Sequence, residues 1–197
     1  RWVMREACRQ MAQWHREFPQ APRLTISVNA SSRELADPDL VPNVARILRE
    51  TGLDPASLRI EVTESSIVEN QDLTASTLRR LQEIGVSLEI DDFGTGYSSL
   101  SRLHEYPFST VKIDRSFVKD LETEPESLHL VETILRLAHG LGLGVVAEGI
   151  ETREQLAKLI SLGCGYGQGY YFSRPADSRS TQKAIEESVQ EPTSVGS

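Results

Sequence analysis

The sequence predicts an α/β fold, and within that class a (β/α)8 barrel of the TIM type of which about six of the eight strands are present. Six short β-branched segments alternate with helical segments, which indicates a parallel sheet covered by helices, because parallel neighbours need crossover connections. Polar residues such as Ser27, Arg59 and Glu89 interrupt the strands, as expected for side chains that point into a barrel. An open, doubly wound sheet is the alternative, but its central strands would be purely apolar.

The elements are assigned from two patterns. Apolar residues at helical spacing predict helices, alternating β-branched residues predict strands, and Gly52 and Gly85 end two of the helices. In chain order we predict a helix from Trp2 that ends before Pro19, a strand over 24–29, a helix over 39–51, a strand over 58–62, a helix over 73–84, a strand over 86–90, a short helix over 98–104, a strand over 110–114, a helix over 126–141, a strand over 144–148, a helix over 153–162, a strand over 166–171 and a helix over 178–189.

Composition limits the classes of function. The chain has 197 residues, of which 39% are hydrophobic and 25% charged, as in ordinary globular domains. A net charge of −8 argues against a surface that binds duplex nucleic acid through many phosphates. No apolar run approaches the roughly 18 residues of a membrane span, so we expect a cytoplasmic segment without membrane contact, although upstream segments could tether a longer protein. Cys8 and Cys164 are expected to be free thiols in a reducing compartment.

Two groups of glycines have different interpretations. Gly140, Gly142 and Gly144 follow a helix and precede a strand, the reverse of a dinucleotide-binding fingerprint, so they predict a tight turn. Four glycines at alternate positions from Gly163 to Gly169 predict a backbone that comes close to something else. That partner is either a neighbouring strand or a planar ligand.

Polar side chains close the predicted strands, at the end where (β/α)8 barrels carry their active sites. They are Asn29, Glu61 with Glu64 one turn later, Asp91 with Asp92, Lys112 with Asp114, Glu148 and Gln168. Carboxylates so close together raise one another's pKa unless a cation neutralises them, and a hard divalent cation with oxygen ligands does so. The sequence therefore predicts Mg²⁺ or Mn²⁺. No His or Cys ends a strand, which argues against zinc.

Helix capping is the alternative role for any one of these acidic residues, because carboxylates at helix starts are common. It accounts less well for Asn29, Glu61, Asp91 and Glu148 together, since each ends a different strand at the same position. The adjacent pair formed by Asp91 and Asp92 weighs most, because adjacent carboxylates bridge two metal ions well.

A glycine-hinged loop follows this acidic pair. Gly94, Thr95, Gly96, Tyr97 and Ser98 provide backbone N–H groups, hydroxyls and hinges suited to closing over a phosphate ligand. The loop begins with the Asp-Phe-Gly triplet of protein kinases, but no glycine-rich ATP loop precedes it and no His-Arg-Asp segment is present.

Six ordered motifs resemble those of the EAL domains, a family of bacterial cyclic-di-GMP phosphodiesterases. They are Ser-Val-Asn-Ala-Ser at 27–31, Glu-Val-Thr-Glu at 61–64, Asp-Asp-Phe-Gly-Thr-Gly-Tyr-Ser-Ser at 91–99, Val-Lys-Ile-Asp at 111–114, Ala-Glu-Gly-Ile-Glu at 147–151 and Gly-Gln-Gly-Tyr at 167–170. The resemblance assigns residues 1–176 to the phosphodiesterase domain and 177–189 to its C-terminal helix. Residues 190–197 are predicted to be a disordered tail.

The resemblance implies hydrolysis of one phosphodiester of cyclic-di-GMP to linear pGpG with two Mg²⁺ or Mn²⁺ ions. In that scheme the metal ligands are Asn29, Glu61, Asp91 and Asp92, Lys112 holds the attacking water, Glu148 is the base or a ligand of the second metal, Glu64 anchors the loop of residues 94–99, Gln168 helps fix the metal-site geometry or the ligand, and Asp114 belongs with the substrate and loop residues. It also implies a homodimer, with sensory or cyclase domains upstream in the longer protein.

One departure concerns the triplet that gives the family its name. The chain contains no Glu-Ala-Leu, whose glutamate is a metal ligand in the family, and it opens at Arg1 directly into a helical pattern. We therefore expect a truncated barrel whose parent is active but which is inactive alone. The alternative is a receptor that binds cyclic-di-GMP without cleaving it. A metal-dependent barrel enzyme acting on another substrate remains open only if the resemblance is discounted.

Overall fold

The computed structural model describes residues 1–69, 71–95 and 105–190. Its strands are β1 (Ile26–Asn29), β2 (Leu58–Thr63), β3 (Ser87–Phe93), β4 (Thr110–Ile113), β5 (Gly144–Ala147) and β6 (Tyr166–Gly167). Its helices are α1 (Trp2–Glu17), α2 (Ser32–Leu35), α3 (Leu40–Thr51), α4 (Glu64–Glu69), α5 (Gln71–Glu83), α6 (Arg115–Lys119), α7 (Pro125–Gly140), α8 (Arg153–Ser161) and α9 (Ser178–Gln190), with a 3-10 turn at Pro55–Ser57.

The six strands form one sheet in which every neighbouring pair is parallel. Their spatial order is their chain order, from β1 at one edge to β6 at the other. A doubly wound sheet reverses its strand order at a switch point, and this sheet does not. The order is that of a barrel wall, as predicted, and it brings the carboxyl ends of all six strands to one side.

The two faces of the sheet differ in chemistry. Leu58, Ile60 and Val62 of β2 are completely buried in the apolar core. Because side chains alternate along a strand, Arg59 and Glu61 lie on the opposite face, toward the interior of the curled sheet. The polar residues that interrupt the predicted strands therefore line that interior.

Short helices were missed by the sequence patterns. α2 lies between the predicted strand over 24–29 and the predicted helix over 39–51, where no element was predicted, and its N-cap Ser31 forms a capping box with Glu34. The N-cap of α6 is Asp114, whose carboxylate accepts a hydrogen bond from the Ser116 amide at 2.9 Å. Helices of four to six residues contain too few turns for a period of 3.6 to stand out.

The last strand is much shorter than predicted, since the expected strand over 166–171 ends at Gly167. A Cβ atom at Gly169 would lie 2.1 Å from the Ile150 carbonyl oxygen, and one at Gly167 would lie 2.5 Å from Ile150 Cδ1. Of the two partners considered for these glycines, the structure therefore shows a neighbouring chain segment. The backbone turns after Gln168, where the Phe172 amide donates to the Gly169 carbonyl.

β3 continues three residues beyond the predicted end, through Phe93. Gly142 adopts a φ of 72° between α7 and β5, which confirms the tight turn. Cys8 and Cys164 are free thiols. Within residues 1–69, 71–95 and 105–190, no helix is long and apolar enough to cross a membrane. The predicted helix over 98–104 and residues 191–197 of the predicted tail lie outside the described residues.

Candidate active site at the carboxyl ends of the strands

Lys112 stands at the centre of the site. Its ammonium group contacts a carboxylate oxygen of Glu148 at 2.7 Å, and one each of Glu61 and Asp91 at 2.9 Å. Only 6% of the lysine side chain is exposed. A lysine buried this deeply needs paired charges to be tolerated, and the three carboxylates supply them.

Strand register explains why these groups meet. Glu61 lies on β2, Asp91 on β3 and Lys112 on β4, while Glu148 follows β5 directly and its amide donates to the Ile113 carbonyl at 3.1 Å. Asn29 ends β1 opposite Glu61 in the parallel register, and its side chain is exposed. The predicted convergence at the strand ends is therefore present, with Asn29 at its margin.

The site contains more acidic groups than basic ones. Burial opposes the charge of Lys112, but hydrogen bonds to Glu148, Glu61 and Asp91 outweigh burial and raise the pKa of the ammonium. Burial raises the pKa of Glu148, although the lysine acts against this shift. One lysine faces three carboxylates, so the cluster keeps a negative charge that favours a further cation.

Three carboxylates beside the lysine are close enough together to bind one metal ion. Oxygen atoms of Asp91, Asp92 and Glu148 all fall within 4.8 Å of one another, and each residue is partly exposed. Hard divalent cations prefer oxygen ligands, and Mg²⁺ is held by a few carboxylates together with waters. The donor set therefore fits Mg²⁺ or Mn²⁺, as the strand-end pattern predicted.

Asp92 has an unusual backbone. Its φ of 53° is the only positive value among the described non-glycine residues, and the register between β3 and β4 shifts between Ile90 and Phe93. Burial raises the pKa of Asp92, as do the neighbouring charges of Asp91 and Asp114 and a side-chain hydrogen bond with Asp114. Backbone strain of this kind costs about 1–3 kcal/mol and allows two consecutive carboxylates to reach one site.

Asp114 has a double role in the structure. Burial works against its ionisation, but hydrogen bonds from Ser116 and from the Arg115 amide outweigh burial and lower the pKa of this carboxyl. It caps α6 and also meets Asp92. Helix capping, the alternative role considered for strand-end acids, is thus correct for Asp114. The N-caps of α1, α2, α3, α7 and α8 are other residues than Asn29, Glu61, Asp91 and Glu148.

Glu64 anchors the start of the glycine-hinged loop. Its carboxylate accepts a hydrogen bond from the Gly94 amide at 3.0 Å. Gly94 has a φ of 97°, and a Cβ there would lie 3.0 Å from the Phe117 ring, so any other residue would be strained at this position. Thr95 bonds back to the Asp92 carbonyl through its hydroxyl at 2.8 Å. Gly96, Tyr97 and Ser98, also assigned to the loop site, lie outside the described residues.

A groove opens beside Glu148. It has a volume of about 220 Å³ and is lined by Arg115, Glu148, Gly149, Glu151, Gln168, Gly169 and Tyr170. The Arg174 guanidinium lies over the Tyr170 ring, 4.8 Å from its centre. Cationic, aromatic and amide groups next to a cluster of carboxylates are suited to a ligand that carries both phosphate and rings.

The family model for the EAL domain matches residues 1–175. This chain belongs to the EAL domain family. It is 44% identical over 174 residues to the cyclic di-GMP phosphodiesterase NbdA of Pseudomonas aeruginosa, covering 88% of this chain and 22% of NbdA. It is 37% identical over 175 residues to the cyclic di-GMP phosphodiesterase PdeR of Escherichia coli, covering 89% of this chain and 26% of PdeR.

Solved structures of EAL domains have the same fold. The PaMucR phosphodiesterase in complex with c-di-GMP superposes with a TM-score of 0.87 at 39% identity, over 91% of this chain and 72% of PaMucR. The EAL domain of Mycobacterium smegmatis DcpA gives 0.89 at 39% identity, over 95% and 83% of the two chains. The predicted barrel class is confirmed. The chain spans only 20% to 26% of the lengths of the first eight curated relatives it matches.

Sequence reasoning missed part of this EAL domain's site. Arg115, Glu151 and Tyr170 line the groove, yet none was predicted as a site residue. A signal existed, because Glu151 and Tyr170 each end a motif that carried the family resemblance and Arg115 follows another directly. Gln168, which was predicted, is exposed in the same groove, and its backbone joins Ala147 and Ile150.

Proposed function

We propose that this EAL domain hydrolyses cyclic-di-GMP to linear pGpG with Mg²⁺ or Mn²⁺. One observation carries the proposal most directly: a buried lysine bonded to Glu61, Asp91 and Glu148. The acidic group it joins lies at the strand ends of a domain whose relatives include named cyclic di-GMP phosphodiesterases.

The residues that would hold the ions are Asn29, Glu61, Asp91 and Asp92, with Glu148 as base or as a ligand of the second ion. Bound divalent ions supply Lewis-acid stabilisation of the charge that develops at phosphorus. The partial exposure of Asp91, Asp92 and Glu148 leaves room for both an ion and a substrate phosphate.

The chain's own groups complete the proposed chemistry. Lys112 stays protonated because its pKa is raised, so it is a hydrogen-bond donor and not a base. It would hold the attacking water in place of one of the three carboxylates that it bonds in the ion-free chain. The pKa of Glu148 is raised by burial, which makes its carboxylate a better proton acceptor. Glu64 holds Gly94 and with it the first hinge of the loop.

Substrate contacts follow from the groove. Gln168 and Asp114 follow the strands on either side of β5. We assign Gln168 to fixing the ligand or the metal-site geometry, and Asp114 to the substrate and loop residues. Gly94, Thr95, Gly96, Tyr97 and Ser98 are assigned to the loop that contacts the substrate. Two predictions rest on the resemblance alone, namely a homodimer and sensory or cyclase domains in the same polypeptide. The cytoplasmic location stays a prediction from the sequence.

The test is an assay of pGpG release from cyclic-di-GMP with Mg²⁺ or Mn²⁺. It compares residues 1–197 with a chimera in which residues 1–175 replace the matching segment of NbdA, because the 197 residues contain no Glu-Ala-Leu triplet. We expect turnover in the chimera and little in the chain alone. Robust turnover by the chain alone would contradict the expected inactivity, but not the hydrolytic function.

Two variants of the chimera test the roles of the residues. Glu148→Gln should abolish turnover, whereas Glu154→Gln, the same change at an exposed position of α8, should not affect it. Binding of cyclic-di-GMP in Ca²⁺ is measured alongside by calorimetry. If the chimera binds the ligand but never cleaves it, the domain is a receptor and the proposed hydrolysis is wrong.

A further inference from the structure

Gln155 is a buried amide whose polar atoms are both bonded. The residue is 5% exposed and lies in the first turn of α8. Its Oε1 accepts hydrogen bonds from the Glu151 amide at 2.8 Å and the Thr152 amide at 3.1 Å. Its Nε2 donates to the Lys119 carbonyl at 3.4 Å, 36 residues away. The side chain therefore joins the start of α8 to the last residue of α6.

The segment that Gln155 holds is the one that carries Glu148. Between Ala147 and Thr152 the chain leaves β5 and crosses to α8. Gly149 turns it with a φ of 72°, where a Cβ would lie 2.5 Å from Arg115 Cβ. The Ile150 amide then donates to the Gln168 carbonyl. The segment is thus packed against the first residue of α6 and bonded to the groove, and Gln155 fixes its far end.

α6 also packs against the segment that carries Asp92. Asp114 caps the helix, and its Phe117 ring packs against Gly94, two residues after Asp92, where a Cβ would lie 3.0 Å from the ring. α6 has only five residues, so both of its ends lie close to the site. The segment that carries Asp92 packs against its Phe117, and Gln155 ties the Glu148 segment to its last residue. A shift of this helix would change the separation of the two carboxylates.

We infer that Gln155 is a positioning residue that sets the spacing of Glu148 and Asp92 by tying the Glu148 segment to α6. The inference rests on the proposed metal site. Groups outside the direct ligands orient those ligands, and their loss typically lowers metal affinity about 10- to 100-fold. Gln155 reaches the site through one short segment and one short helix, without contacting the ion or the substrate.

Two single substitutions in the full chain separate this role from simple helix capping. Gln155→Glu keeps the acceptor oxygens of a capping box, in which Glu and Gln are interchangeable, but it loses the donor to the Lys119 carbonyl. Thr152→Ala removes the hydroxyl that accepts from the Gln155 amide at 3.1 Å and leaves the tie to α6. Gln155→Glu therefore removes the hydrogen bond to α6 and keeps the helix cap. Thr152→Ala removes the capping hydrogen bond and keeps the bond to α6.

The experiment measures Mn²⁺ affinity by calorimetry and the thermal midpoint of each variant. For Gln155→Glu we expect an Mn²⁺ dissociation constant raised about 10-fold. The added negative charge alone would strengthen cation binding, so the expected direction is opposite to a charge effect. For Thr152→Ala we expect a lower thermal midpoint and an Mn²⁺ affinity within about 2-fold of the wild type, as the loss of a cap alone predicts.

A third variant covers the case in which Gln155→Glu does not fold. Gln155→Met removes every hydrogen bond of the side chain at similar volume, and its Mn²⁺ affinity should also fall about 10-fold. Wild-type affinity in a folded Gln155 variant would overturn the inference, as would an equal loss in Thr152→Ala. If the wild-type chain binds no Mn²⁺, the proposed metal site itself is wrong. If the wild-type chain does bind Mn²⁺ but its affinity equals that of the Gln155 variants, only the role of Gln155 is wrong.

Discussion

Lys112 and Glu148 form the shortest of three ion pairs at the carboxyl ends of the strands, with 2.7 Å between the ammonium nitrogen and a carboxylate oxygen. β4 supplies the lysine, and the segment after β5 supplies the glutamate. The same ammonium also bonds to Glu61 and Asp91. Removal of one side chain would therefore expose three acids to one another at once.

Lys112→Met should destabilise the chain, because three buried or half-buried carboxylates lose their shared cation. The loss of one partner from a buried pair costs about 3–5 kcal/mol. Urea unfolding at neutral pH measures it. Added Mn²⁺ should recover part of the lost stability by replacing the missing charge. Lys183→Met, at an exposed position of α9, is the control and should have little effect. A Lys112→Met chain as stable as the control would contradict the assigned charge balance.

A second ion pair on the interior face of the sheet predicts a double-mutant result. Arg59 and Glu89 lie 2.6 Å apart, the glutamate side chain is 3% exposed, and Ser27 donates to the same carboxylate at 3.1 Å. Arg59→Met should cost about 3 kcal/mol because it leaves a buried carboxylate unpaired. Combined with Glu89→Leu it should cost much less than the two single changes summed.

The surface pair of Arg46 and Glu50 is the matched control for this cycle. Both residues lie on α3, with 3.1 Å between Arg46 Nη1 and Glu50 Oε1, and both side chains are more than 40% exposed. Its coupling should be about 0.5 kcal/mol or less. Both coupling energies are measured by chemical denaturation. Equal values would show that the burial of Glu89 does not strengthen its ion pair with Arg59.

Gly169→Ala tests the close approach that ends β6. The new methyl group would meet the Ile150 carbonyl oxygen at 2.1 Å, and backbone cannot move aside as a flexible side chain can. We expect a loss of about 1–3 kcal/mol, the usual cost of overpacking, together with weaker Mn²⁺ binding, because Gln168 and the Glu148 segment must shift. Gly165→Ala is the control, since nothing lies within 4 Å of its Cβ position. Equal effects of the two changes would refute the assigned contact.

Cys8 predicts a dependence of stability on alkaline pH. Burial raises the pKa of this thiol from 9.0 to about 11. The thiol stays neutral in the folded chain while it ionises in the unfolded chain, so its contribution is complete below pH 9.0 and is lost as the pH rises toward 11. The difference in unfolding free energy between wild type and Cys8→Ala should therefore shrink over that range, by about 2 kcal/mol. Comparison within the pair cancels the titration of other groups, and a constant difference would contradict the shift.

The strand-end residues could be predicted because parallel strands align their carboxyl ends. Once β2, β3 and β4 were recognised, Glu61, Asp91 and Lys112 were expected at the same edge, where the structure places them. The positive φ of Asp92 could not be predicted from the sequence, because it arises from the register shift between β3 and β4. β6 was predicted too long, since its end depends on the contact between Gly169 and Ile150.

The support of the site was harder to predict than its ligands. Gln155 reads as an ordinary residue in the first turn of a helix, and its Nε2 bond crosses 36 residues to a backbone carbonyl. Such a bond depends on tertiary packing and leaves no periodic trace in the sequence. The five-residue α6, on which the arrangement depends, is too short to be detected by hydrophobic spacing.

The buried ammonium of Lys112 also separates two events that many small metal-binding domains combine. Where unpaired acidic ligands repel one another, a domain folds only as it takes up its ion. Here a covalently attached cation already offsets part of that repulsion. The ion-free chain can therefore persist in a folded form, and a change in the supply of divalent ions would alter the occupancy of the proposed metal site more than the amount of folded protein.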